Sequence, residues 1–233
     1  MWTLWVLASF VVAQLVLVAL LYVFNWIGVV FALDSATFNF VFAALSYALS
    51  LAIAVGVPWI VKKRRVSLAD VGLSRLPSWM DIGMAPAGFV VYLLASASLV
   101  YVITQVIPGF NADQTQEVGF ENISQRYEYL LAFITLVVVA PVAEETLFRG
   151  FLYGKLRKTV PIWLAMILTS VLFGAVHGQW NVGVDVFVLS LVMCSLREVT
   201  GSIWAGILLH MMKNGLAFYL LFINPSILHT IGG

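Results

Sequence analysis

The sequence predicts an all-α polytopic transmembrane bundle of about seven to eight helices, and three observations predict it. Of 233 residues, 62% are hydrophobic and 10% charged, with a mean hydropathy of +1.02. A soluble domain averages about 45–50% apolar and 25% charged residues. The apolar residues gather in runs close to the ~20 that cross a bilayer. The charges, prolines and glycines fall mostly between those runs. A backbone in lipid must satisfy its own hydrogen bonds, so isolated runs of this length are helices.

Seven spans are expected, at 3–30, 36–61, 80–107, 127–158, 161–178, 183–198 and 202–223. The first starts MWTLWVLASF without a positive n-region and runs on to about Phe31. That is too long for a signal h-region, so it reads as a retained helix. Lys62-Lys63-Arg64-Arg65 stops the second span. Residues 66–79, apolar with an occasional charge, read as a short interfacial segment. Pro108-Gly109 closes the third span. The fourth begins as a lipid-type run and ends polar, with Pro141 placed to kink it or to start a new helix. Thr159-Val160-Pro161 ends it, and Gly201 separates the sixth and seventh spans. The sixth is short, which suggests tilt or burial between neighbours. The chain reads as one membrane domain, 1–233, whose motif region covers about 135–220.

Lys and Arg favour cytoplasmic loops. Residues 62–65 with Arg75, then Lys155, Arg157 and Lys158, then Arg197 mark three basic loops. Residues 108–126 carry Asp113, Glu117 and Glu121 against Arg126. The alternation places the N-terminus inside and, with seven spans, the C-terminus outside. A net charge of +1 gives no electrostatic case for nucleic acid. The single cysteine, Cys194, forms no internal disulfide and reads as a small buried residue.

Ionisable residues inside a membrane are costly and point to function. Three clusters stand out: PVAEETLFRG with Glu144, Glu145 and Arg149; FGAVH with Phe173 and His177; HMMKN with His210 and Asn214. On a helix Glu145 and Arg149 are i,i+4 and can pair. Glu144 turns about 100° away and is left to project elsewhere. His210 and Asn214 are also i,i+4, so two hydrogen-bonding heads share a face. Counted from the cytoplasmic ends at ~1.5 Å per residue, the three clusters reach overlapping depths, as a shared cavity requires. The set suits hydrolysis. A carboxylate can act as base toward water, and a histidine can orient that water or protonate a leaving amine. A His/Asn pair can donate to an oxyanion.

At these residues the chain resembles the CPBP (Abi) family of membrane proteases. That family includes type II CAAX prenyl endopeptidases and bacteriocin-processing or self-immunity proteins. Its motifs EExxxR, FxxxH and HxxxN stand here as Glu144–Arg149, Phe173–His177 and His210–Asn214, in order. The resemblance implies a glutamate-dependent intramembrane endopeptidase acting on a membrane-associated peptide or protein. It makes Glu144 the base, His177 its assistant, His210 and Asn214 the oxyanion donors, and Glu145 and Arg149 the support. It implies no cofactor.

Other readings stand beside it. Glu144, His177 and His210 would make a Glu-His-His zinc set, although no HExxH is present. A non-catalytic bacteriocin self-immunity or membrane scaffold protein, or a small proton-coupled carrier, would also hold buried Glu and His. Phe173 reads as packing and Asp185 as a cap or helix contact. Asn181 is expected in a loop, Asp34 in the short outer loop and His229 in a solvated tail. Trp2, Trp26, Trp59, Trp79, Trp163 and Trp204 fall near span ends as interfacial anchors.

Overall fold

The computed structural model describes residues 5–32, 35–63, 65–112, 114, 123 and 125–224. Trp2, Asp34, Arg64, Asp113, Glu117, Glu121 and His229 lie outside them. Seven long helices follow one another: α1 Trp5–Trp26, α2 Ala36–Lys62, α3 Trp79–Val106, α4 Arg126–Leu156, α5 Ile162–Ala175, α6 Trp180–Thr200 and α7 Trp204–Ile223. The described residues contain no strand. Five of the helices (α1, α2, α3, α4 and α7) are long and apolar enough to cross a membrane. The chain is a multi-pass membrane protein.

The sequence expectation for the sixth span is corrected. The short helix is α5, with 14 residues, while α6 has 21 and is buried along much of its length. The two helices cross closely. A Cβ on Gly174 would lie 2.7 Å from the carbonyl oxygen of Gly183. Only glycine lets two backbones approach that closely. Two further corrections follow from the length of α6. Asn181 lies in its first turn rather than in a loop. Arg197 lies in its last turn, buried, with its guanidinium on the carbonyl of Gly150, and marks no loop.

Residues 66–79 form a folded clamp. Ser67 and Asp70 cap a 3-10 turn, Leu68–Val71, and Ser78 and Asp81 cap α3 in the same reciprocal way. Arg75 pairs with buried Asp81 and also reaches the carbonyl of Thr200. Ser202 Oγ and Ile203 N–H both donate to the carbonyl of Gly72. The Trp204 indole N–H donates to Arg75 O. The clamp therefore ties the start of α3 to the turn between α6 and α7. Trp204 is a staple here rather than a lipid anchor, whereas Trp26, Trp59, Trp79 and Trp163 stand exposed at helix ends.

α4 packs against α1, α2, α5, α6, α7 and the 3-10 turn, and so forms the axis of the bundle. It does not break at Pro141. It widens instead, with π-helical turns over Ile134–Val139 and Thr146–Tyr153. A proline ring clashes with the carbonyl four residues back in a regular α-helix. The wide turn upstream relieves that clash, and such turns gather at functional sites. In the π register the partner of the Leu136 carbonyl is the nitrogen of Pro141, which carries no hydrogen. The amide of Asn214 supplies the missing bond, Nδ2 to Leu136 O, at 2.8 Å.

Candidate active site

Glu144 and Glu145 sit between the two wide turns of α4, and the helical twist sends them to different surroundings. Glu145 is fully buried. Its Oε1 receives Arg149 Nη1 at 2.9 Å, the i,i+4 pair read from the sequence. The Arg149 guanidinium stacks 4.2 Å from the centre of the Phe173 ring, which gives the cation a second partner where water is absent. Arg149 Nε and Nη2 have no hydrogen bond among the described residues, so the ring face matters. Phe173 is fully buried, as a packing residue should be. Glu145 also holds His210, with Nδ1 3.2 Å from Oε1. Gly206, one turn before His210, makes this approach possible. A Cβ there would lie 3.0 Å from Glu145 Oε2.

Glu144 faces elsewhere. Its Oε1 accepts a 2.5 Å hydrogen bond from the phenol of Tyr47 on α2, and its Oε2 lies 3.8 Å from His210 Nε2. His210 thus bridges the two carboxylates. His177 sits in the turn just after α5 rather than on the helix. Its Nδ1 donates to the carbonyl of Phe173 at 2.7 Å, closing the helix end and fixing the ring. In both histidines Nδ1 is tied to a scaffold group, which leaves Nε2 as the nitrogen free for chemistry.

A cavity of ≈ 180 Å³ is lined by Glu144, His177, His210 and Asn214, with Tyr47, Lys213, Leu136 and Ala140 around them. Three chain segments thus meet at one cavity. A cavity of this size and polarity has room for several waters at roughly 30 Å³ each. A second cavity, ≈ 210 Å³, lies across the wall made by Tyr47, Glu144 and His177. Its far side is apolar: Val6, Leu7, Phe10 and Val11 of α1, with Leu147, Phe148 and Val176. Glu144 is therefore shared by a polar chamber and an apolar one.

Tyr47 and Lys213 were not found from the sequence. Tyr47 stands 97 residues before Glu144 in an apolar helix, and no local pattern marks it. Asp185 is a helix contact, as expected. It accepts the Tyr92 and Ser96 hydroxyls of α3 at 2.7 and 2.6 Å. Cys194 is buried and free. Among the described residues no group of three His, Cys, Asp or Glu is arranged as a metal site.

Residues 126–216 match the family model described as "Type II CAAX prenyl endopeptidase Rce1-like". That segment, which holds all three motifs, is similar to this family. The resemblance carried by the three motifs is borne out over that stretch. An Escherichia coli protein, "Uncharacterized 24.3 kDa protein", is 33% identical over 36% of this chain and 41% of its own length. The Bacillus subtilis (strain 168) protein "Putative membrane peptidase YdiL" is 26% identical over 58% of this chain and 54% of its own. The "UPF0177 protein YxdF" of Lactococcus lactis subsp. lactis (strain IL1403) is 31% identical over 39% of this chain and 49% of its own. The matched stretches thus span about half the length of these relatives. No solved structure matches the chain significantly.

Proposed function

We propose that this chain is an intramembrane endopeptidase that cuts a membrane-associated peptide or protein with a water activated by Glu144. The observation that carries the reading is the shared cavity of Glu144, His177 and His210, in which Glu144 is hydrogen-bonded to a phenol and pairs with no Lys or Arg among the described residues. The Rce1-like match and the peptidase name given to the Bacillus relative support it.

In this scheme Tyr47 occupies one oxygen of Glu144 and leaves the other for water. Glu144 takes a proton from that water. His177 orients the water through Nε2 while Phe173 O holds Nδ1. The oxygen adds to the scissile carbonyl carbon and a tetrahedral oxyanion forms. Asn214 has one amide hydrogen on Leu136 O and a second to offer the oxyanion. His210, when protonated on both nitrogens, donates to Glu145 from Nδ1 and to the oxyanion from Nε2. The C–N bond then breaks, and the proton held by Glu144 passes to the leaving amine. The apolar chamber along α1 accommodates an apolar side chain next to the cut.

The test is Glu144→Gln in purified protein reconstituted into liposomes with quenched membrane peptides, alongside a proteomic comparison of cells carrying either form. Cleavage should fall about 10²–10⁴-fold, the usual contribution of a general base. Full activity in the variant would sink the reading. A cell phenotype that survives Glu144→Gln and His177→Ala would favour the non-catalytic immunity or scaffold role. Loss of cleavage on chelation would bring back zinc.

A further inference from the structure

His210, Lys213, Asn214, Ala217 and Leu221 form one stripe of α7 at i, i+3, i+4 spacing, and all five line the Glu144 cavity. Lys213 is the member the scheme above leaves without a task. Its ammonium stands 3.9 Å from Asp185 Oδ2, beyond hydrogen-bond distance, and only 16% of its side chain is exposed. Among the described residues it donates no hydrogen bond. Asp185 does not depend on it, because two hydroxyls already serve its other oxygen. Asp185 also lines a separate cavity of ≈ 240 Å³ with Val100, Phe110 and Asn181, so the loose pair stands between that space and the catalytic one.

A half-buried ammonium in a membrane helix that has a loose ion pair and no hydrogen bond among the described residues is incompletely satisfied. An anion entering the cavity would relieve that cost, and a single cation matches a single carboxylate in charge. We infer that Lys213 reads a carboxylate on the substrate and so sets where the chain is cut. The inference rests on the peptidase reading of the same cavity. Because Lys213 and Glu144 line one small chamber, the carboxylate it receives lies close to the scissile bond. It is either the free C-terminus of the peptide or an acidic side chain near the cut.

Binding separates this inference from the chemistry. Glu144→Gln protein in lipid nanodiscs is titrated with one fluorescent apolar hexapeptide in three forms: free acid, C-terminal amide, and amide with an aspartate near the end. The free acid or the aspartate form should bind at least about tenfold more tightly than the plain amide, as expected for a charge-assisted bond. Which of the two does so names the source of the carboxylate. Adding Lys213→Met should erase the preference, and Lys213→Arg should retain most of it. The comparison of peptides on unaltered Lys213 needs no second variant to fold. Absence of any acid preference, or its persistence in Lys213→Met, overturns the inference. The same peptides are given to the protein with Glu144 intact. A Lys213-dependent preference without cleavage would defeat the peptidase reading and leave the carboxylate site. Glu144-dependent cleavage without preference would do the reverse.

Discussion

Glu144 and Glu145 are one peptide bond apart, and the regions they face differ in almost every physical respect. On the Glu145 side a carboxylate, a guanidinium and an imidazole are packed without solvent, joined to one another and to the face of Phe173. On the Glu144 side the carboxylate is partly open, bonded to a neutral phenol, and bordered by two cavities. The residue type is the same, so the difference comes from roughly 100° of helical twist and from what the neighbouring helices present. Glu145 is locked into an ion pair inside the protein, whereas Glu144 opens onto a cavity, as the base proposed above requires.

That contrast breaks if the two glutamates respond alike to truncation. Glu145→Ala leaves Arg149 buried and uncompensated and releases His210. It should cost about 3–5 kcal/mol, the usual penalty for removing one member of a buried pair. Glu144→Ala removes a partly exposed carboxylate and should change stability by less than about 1 kcal/mol. Thermal unfolding of the two variants in the same detergent reads the difference. Equal losses would erase the distinction between scaffold and base.

The sequence made one half of this contrast readable and hid the other. Helical spacing pairs Glu145 with Arg149 and sets Glu144 apart, because both facts depend only on residues a turn away. The partner of Glu144 comes from α2, and Tyr47 has no charged neighbour to betray it. The contact of Lys213 with Asp185 is likewise tertiary, as is the burial of Arg197 against Gly150. The expected span 161–178 puts His177 on a helix, although the sequence holds a signal against it. Gly178 follows it directly, with a φ of +71°, and glycine past the last turn is a common helix stop. The length of α6 stays hidden because Asn181 looks like a loop residue until the carbonyl of Gln114 is placed beside it.

The position of His177 depends on the crossing of α5 and α6, so this side of the site can be displaced without touching a catalytic group. Gly174→Ala drives a methyl group into the carbonyl of Gly183, and backbone cannot swing aside as a side chain can. The variant should lose about 1–3 kcal/mol, as overpacked cores do. Cleavage should fall with it, and His177 should become more open to chemical modification. Unchanged cleavage would mean that the geometry of this turn is irrelevant to the base.

A finer probe is Tyr47→Phe, which removes one hydroxyl and keeps the ring in the wall between the two chambers. Glu144 then loses the bond that fixes Oε1, and its carboxylate becomes free to rotate. Cleavage efficiency should fall about tenfold, equivalent to roughly 1.4 kcal/mol, with little change in melting temperature. An unaltered rate would show that the phenol only fills space.

The smallest effect belongs on the surface that faces neither glutamate. Across its most apolar stretch α4 is 44% buried within the bundle, whereas α1 is 17% buried. Leu15 on α1 is 63% exposed, on a helix long and apolar enough to cross a membrane. Lipid is as apolar as leucine, so burial against protein is not what stabilises this position. Leu15→Ala should shift stability by less than about 0.5 kcal/mol and leave cleavage unchanged. Val6, earlier on the same helix, is buried and lines the apolar chamber beside Glu144. Val6→Ala should enlarge that chamber and alter which peptides are cut. If Leu15→Ala and Val6→Ala shift peptide preference equally, the chamber is not where the substrate's apolar group rests.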